Sequence, residues 1–342
     1  MQVKILQQYK KWKPLKNSVI KDNNLSEIIH ESGYKVLPFL NEDSLTALKQ
    51  IFEEEHDFKV EDGGMFYSLY SRDKAYRKRI HERIKEVLLP SLEEHFVDYK
   101  NVINTFVVKL PGEKSEFYVH QDTTGLDEFN YSPLSIWIPL DDITPKNGAL
   151  TVIEKSHWFF SPYRGVSFSF PFKNISDSIK KYLKPVYMKA GEALFFDNRL
   201  VHNSLANTSD QPRIAIVCGI FPKEAKFRSC FQDQTEANKP IEVFEHEENY
   251  LLEYPHFFYN CTERPVSGKL VEKVEDSFPS MNTEEFEQLC TINQLTEWNK
   301  VDSVDPTTVN CQLIAEPDGI NIFEEEKETS RGLISWLKRK IS

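Results

Sequence analysis

Between Val102 and Phe221 the chain is cut into short β-branched and aromatic runs, INTFVVKL, FYVH, LSIWIPL, ALTVI, PVYMKA, EALFFD and RIAIVCGIF, divided by Pro, Gly, Asn and Asp. Residues of the first kind suit a pleated, half-buried surface, and those of the second suit turns. Many short strands at close spacing, with no helices between them, point to an antiparallel sandwich or open barrel. The expected fold is therefore mainly β with flanking helices.

The helices are expected upstream. GYKVLPFL, from Gly33, reads as an edge strand leading to Asn41, and Glu42-Asp43-Ser44 supplies acidic and capping residues for a helix in which Leu45, Leu48, Ile51 and Phe52 recur at helical spacing. A second helix is expected from Arg72 to about His95, with Ile80, Ile84, Val87, Leu88 and Leu92 as its buried stripe and a kink at Pro90. Residues 1–35 read as a polar arm, residues 36–224 as the β domain with its supporting helices, and residues 225–342 as an acidic extension that serves as lid or dimerisation region packed on the core.

Composition narrows the function. At 342 residues the chain is long enough to bury a core without staples, and a net charge of −11 would repel a phosphate backbone, so nucleic acid is not expected as a partner. The cysteines Cys218, Cys230, Cys261, Cys290 and Cys311 are odd in number and form no CxxC pair, which fits a reducing cytoplasm better than a disulfide framework. MQVKILQQYKKWKPLK lacks the apolar run of a secretory signal, no stretch is long enough to span a bilayer, and SRGLISWLKRKIS reads as a docking helix rather than a membrane anchor.

FYVHQDTTG places His120 and Asp122 two residues apart in an expected strand, so both side chains leave one face and can share an ion. Alone, an H-x-D triplet also fits a polar pair at a strand end. A later apolar strand, a turn and His202 could return to that pair. Two imidazoles and one carboxylate on one face leave open coordination positions, which suits non-haem iron(II) oxygenases. Arg213 follows on the next apolar strand, where a buried guanidinium needs an anion: either a protein carboxylate or the far carboxylate of a dicarboxylate held at the metal.

HQD, then LSIWIPLDDITPKNGALTVIEKSH, then AGEALFFDNRLVHNSLANTSDQPR, in that order, resemble the phytanoyl-CoA dioxygenase family of Fe(II)/2-oxoglutarate-dependent oxygenases, over roughly residues 100–221 with a weaker match from Gly33. The resemblance implies a double-stranded β-helix core, of the jelly-roll or cupin-like kind. It also implies Fe(II) held by His120, Asp122 and His202 as the catalytic centre, with 2-oxoglutarate and O₂ as cosubstrates. For 2-oxoglutarate it implies Arg213 as the salt-bridging residue, Ser204 as a hydrogen-bond partner, and Trp137 and Lys109 as pocket lining. Trp137 fits a core aromatic and Lys109 a solvated strand end equally well. Lys155 stands where the family has Gly, which suggests a different turn, and His157 reads as a supporting or structural residue. Asp141 and Asp142 most simply fix the turn after LSIWIPL.

In that family the reaction yields succinate and CO₂ and oxidises a substrate C–H. An intact Asp122 points to hydroxylation, with desaturation or ring formation as lesser outcomes, since halogenating members carry Ala or Gly there. The expected substrate is a small metabolite such as an amino-acid derivative or natural-product intermediate. Gln121, Thr123, Arg164 and Arg199 are candidates to face it, or to support the ligands. FFSPYRGVSFSFPF, which includes Arg164, could form an aromatic lid or a self-packed surface loop. A homodimer through the C-terminal region is the expected protein partner. Two other classes stay open: a non-catalytic metabolite-binding relative, and a zinc-dependent hydrolase, for which no HExxH motif is present.

Overall fold

The computed structural model describes residues 14–56, 64–159, 162–168, 172, 175–233, 240–254, 263–274 and 281–298. Its centre is a pair of antiparallel sheets. One has six strands in the order β1 (Tyr34–Pro38), β8 (Glu192–Asp197), β5 (Leu134–Pro139), β10 (Arg213–Pro222), β3 (Tyr99–Lys109) and β2 (Met65–Tyr67). The other has four, in the order β4 (Phe117–His120), β9 (His202–Ser204), β6 (Leu150–Val152) and β7 (Lys184–Val186). This is the expected double-stranded β-helix, with the GYKVLPFL strand on the edge.

Side-chain parity builds the two layers. On β10, Ile214, Ile216, Cys218 and Ile220 join the core beneath the helices, whereas Ala215 and Val217 join the core between the sheets. On β5, Ile136 and Ile138 face the helices and Trp137 faces inward. Successive side chains of a strand point to opposite faces, so Arg213 and Lys109 are carried inward with Ala215 and Trp137.

Three helices cover the outer face of the large sheet: α1 (Asn23–Ser32), α2 (Glu42–Glu55) and α3 (Lys74–His95). Asn41 caps α2, its Oδ1 accepting from the Ser44 amide at 2.8 Å, and Leu48, Ile51 and Phe52 are its buried residues. Ile80, Ile84, Leu88 and Leu92 of α3 are all buried, Val87 packs against them, and the helix runs through Pro90 to His95. Helix α1 corrects the expectation of a polar arm over residues 1–35. Asp22 caps it, Leu25 and Ile29 enter the core with Val19 and Ile20, and Gly33 ends it at φ +89°. Residues 1–13 of that arm lie outside the described residues.

The remaining helices are α4 (Ser176–Lys180), α5 (Tyr250–Glu253) and α6 (Thr283–Ile292). Beyond the β-helix a third sheet is formed by β11 (Phe227–Gln232), β12 (Ile241–His246) and β13 (Lys269–Val274). It is docked on the core: Phe227 and the α5 residues Tyr250, Leu251 and Leu252 pack with Leu126 and Phe221, while Phe286 and Leu289 of α6 pack with Val119, Phe159 and Val201. The SRGLISWLKRKIS segment, Cys261 and Cys311 lie outside the described residues, as do parts of FFSPYRGVSFSFPF. Among the described residues, Cys218, Cys230 and Cys290 are free and buried, and no helix is long and apolar enough to cross a membrane.

Candidate metal centre

Strands β4 and β9 pair so that His120 stands directly opposite His202. The ring centroids are 4.1 Å apart. Each imidazole is fixed through its Nδ1, which lies 2.9 Å from the carbonyl two residues back, Tyr118 for His120 and Leu200 for His202. A carbonyl accepts only from N–H, so both Nδ1 atoms carry the proton and both Nε2 atoms keep a lone pair. That is the tautomer a metal ligand requires.

Asp122 completes the group, with Oδ1 3.6 Å from His120 Nε2 and 3.9 Å from His202 Nε2. One donor atom from each of the three residues falls within 4.8 Å of the others, so they could hold one metal ion. The expectation that Asp122 shares a strand with His120 is corrected, because β4 ends at His120. Asp122 lies past the strand, its amide donating to Asn198 O at 3.0 Å and its carbonyl accepting from Arg164 Nε at 2.7 Å.

The electrostatics suit a cation. Burial tends to raise the Asp122 carboxyl, but its surroundings of His120, His202 and Arg164 outweigh it and hold the group below the usual carboxylate range. Burial and the neighbouring His120 push His202 down to about 4, so it stays neutral at ordinary pH.

Arg213 is 1% exposed, and its Nε and Nη1 have no hydrogen-bond partner among the described residues. Its guanidinium lies over the Trp137 ring, 5.0 Å from the centroid. Burial lowers it to about 10, partly offset by Tyr67. No ion pair to a protein carboxylate accompanies it among the described residues. Orphaned guanidinium nitrogens in a buried space fit the far carboxylate of a small dicarboxylate. Burial raises the Tyr67 hydroxyl, and the Arg213 guanidinium, Tyr118 and the Asp122 carboxylate also act on it.

The other candidates divide. Ser204 is buried on β9, opposite Phe117 and Leu150. Thr123 is part-exposed beside Asp122. Lys109 is fully buried rather than a solvated strand end, and its Nζ donates to the carbonyls of Ser115, Ser204 and Leu205. Burial and the nearby Arg213 pull its pKa well down, but three carbonyl acceptors need all three protons of the ammonium. Lys109 therefore fastens the end of β9 instead of offering a spare donor.

Three of the substrate candidates are spent on support. Gln121 Nε2 donates to Arg199 O, Arg199 is fully buried and pairs with Asp197 and Ser132, and Arg164 pairs with Glu128. His157 Nε2 bonds His30 O at 2.8 Å and ties the β-helix to α1. Asp142 holds its turn through Ala190 N and Lys189, and Asp141 pairs with Lys49. Lys155 has φ +65°, in the left-handed region that glycine favours. The sequence reading missed the aromatic flank of the site: Phe117 stacks on Tyr118 at 4.5 Å, meets the His120 ring edge-on at 4.9 Å, and has Tyr67 at 6.2 Å.

A double-stranded β-helix with two histidines and an aspartate inside it defines a class of metal-binding barrel. More particularly, the chain belongs to the phytanoyl-CoA dioxygenase (PhyH) family, whose model matches residues 29–215. It is 30% identical over 116 residues to a phytanoyl-CoA dioxygenase of Arabidopsis thaliana, a match covering 32% of this chain and 40% of that protein. It is 25% identical over 181 residues to phytanoyl-CoA dioxygenase domain-containing protein 1 of Danio rerio, covering 48% and 60%. The chain thus matches about half the length of these curated relatives. Among solved structures, the non-heme alpha ketoglutarate dependent carbocyclase SnoK from nogalamycin biosynthesis is similar at 20% identity and TM-score 0.42, over 60% of this chain and 86% of that one. At that level the likeness carries no argument about chemistry.

Proposed function

We propose that this protein is an Fe(II)- and 2-oxoglutarate-dependent oxygenase that hydroxylates an unactivated C–H bond of a small metabolite. The observation that carries this reading is the combination of three metal-competent donors within 4.8 Å and a buried, unsatisfied Arg213 beneath the same two sheets. His120, Asp122 and His202 would hold the iron, and bound iron with 2-oxoglutarate supplies the O₂-dependent oxidation. Arg213 supplies the positive end that orients the cosubstrate, with Trp137 fixing the plane of its guanidinium.

The aromatic flank of Tyr67, Phe117 and Tyr118 supports a substrate with an apolar or planar portion beside His120. No spare cation is found among the proposed substrate arginines, so an amino-acid carboxylate would have to be bound elsewhere. Membership of the family supports the reaction class.

The test is succinate formation from 2-oxoglutarate by purified protein with Fe(II), with and without O₂. Turnover that requires iron, O₂ and 2-oxoglutarate together supports the proposal. Hydrolytic activity with Zn(II) in the absence of O₂ would replace it with the hydrolase reading, and no 2-oxoglutarate consumption with any metal or metabolite panel would leave a binding protein.

A further inference from the structure

Of the three candidate ligands, His120 and His202 are fixed by paired strands, while Asp122 sits on the irregular segment that follows β4. A carboxylate on such a segment has no ladder to hold it, so its position must come from something else. The strongest contacts to that segment come from Arg164. Its Nε donates to Asp122 O at 2.7 Å, and its Nη1 and Nη2 donate to Glu128 Oε2 and Oε1 at 2.8 and 2.7 Å. One planar guanidinium thus grips both ends of the 122–128 segment. The side chains are 7% and 0% exposed.

The backbone repeats the link. Thr124 N donates to Arg164 O at 3.0 Å, Arg164 N donates to Thr124 Oγ1 at 2.9 Å, and Thr124 Oγ1 donates to Pro162 O at 3.0 Å. The third sheet then closes over both segments. Arg228 N donates to Gly125 O at 2.9 Å, Arg228 Nη1 pairs with Asp127 at 3.1 Å, and Gln232 N donates to Ser167 Oγ at 2.8 Å. At Gly165 the backbone comes so near β11 that a Cβ would lie 2.2 Å from Cys230 O.

A buried ion pair is a poor way to gain stability, because desolvation offsets most of the attraction and an apolar pair of like volume often does as well. Its use beside a metal ligand is therefore better explained by geometry: a charge pair with a planar fork fixes direction as well as distance. We propose that Arg164 and Glu128 are positioning residues that set Asp122 for metal binding, and that the sheet β11–β13 locks them in place. The inference rests on the metal reading above. It gives residues beyond the family match, which ends at position 215, a part in the metal centre.

The experiment is a cobalt(II) titration of metal-free protein, followed through the visible ligand-field bands, with apoprotein melting measured alongside. The variants are Glu128→Leu/Arg164→Met, which removes the pair without stranding a charge, and Arg164→Lys, which keeps a cation for Glu128 but loses the fork. Both are expected to weaken cobalt binding by about 10- to 100-fold and to alter the bands, while the double variant melts as the wild type does. A folded variant with wild-type affinity and bands would overturn the proposal. So would failure of both variants to fold, which would make the pair a stability element. If wild-type protein binds no cobalt, the metal reading itself falls, a result distinct from either of these.

Discussion

His120 and His202 are register partners across β4 and β9, and their rings meet 4.1 Å apart with both Nδ1 atoms tied to backbone carbonyls. The two Nε2 atoms are thereby aimed at a common point before any ligand arrives. Asp122 supplies the only negative charge of this group. Asp122→Ala is expected to weaken metal binding by more than about 100-fold and to abolish succinate formation. A variant that turns over 2-oxoglutarate at the wild-type rate would remove Asp122 from the centre.

Arg213 makes two opposite predictions. With cosubstrate, Arg213→Met should raise the 2-oxoglutarate concentration for half-maximal turnover by roughly 100-fold, the scale of a lost buried charge pair. Without cosubstrate the same change should stabilise the protein by about 1–3 kcal/mol, because it removes buried donors that have no partner. Denaturant unfolding of the apoprotein checks the second; an unchanged or lower stability would mean the guanidinium is already satisfied.

Acid should destabilise the fold through buried neutral histidines. Burial pushes His56, His81 and His157 down to about 4 from an ordinary value of 6.5. Between those values the unfolded chain binds more protons than the folded one. The stability contributed by each neutral ring is therefore full above pH 6.5, falls as the pH drops towards 4, and levels off below. Each group is worth on the order of 3 kcal/mol across that window. His56→Phe should flatten the slope in denaturant unfolding measured from pH 7 to pH 4.5; the wild-type slope in that variant would contradict the assignment.

Lys155 holds a left-handed conformation at φ +65°, with its amide bonded to Ser32 O at 2.8 Å. Lys155→Gly relieves the steric cost of that conformation and should raise stability by about 0.5–1 kcal/mol. A lower melting temperature would show that the lysine side chain contributes more than the strain removes.

What could be read in the sequence was what parity and periodicity control. The alternation of Ile214, Ile216 and Cys218 with Arg213, Ala215 and Val217 fixes which residues of β10 enter the barrel, and the stripe of Ile80, Ile84, Leu88 and Leu92 fixes the face of α3. Helix α1 escaped because NNLSEIIHES is short and polar, although Asp22 as cap, Leu25 and Ile29 four apart, and Gly33 at the end were visible signals. Asp122 could not be placed past its strand by spacing alone, since its bonds to Asn198, Arg164 and Ser135 come from residues distant in the sequence. Arg164 read as a substrate contact because its partner Glu128 lies 36 residues away and carries no motif. Tyr67 gave no signal either; it reaches the site only because β2 pairs with β3.

The central claim is that iron and 2-oxoglutarate share the centre formed by His120, Asp122, His202 and Arg213. Its most direct test is anaerobic addition of Fe(II) and then 2-oxoglutarate to metal-free protein, observed in the visible range. The account predicts a metal-to-ligand charge-transfer band that needs both additions and is lost in His202→Ala. No band in the wild type, or an undiminished band in that variant, would contradict it.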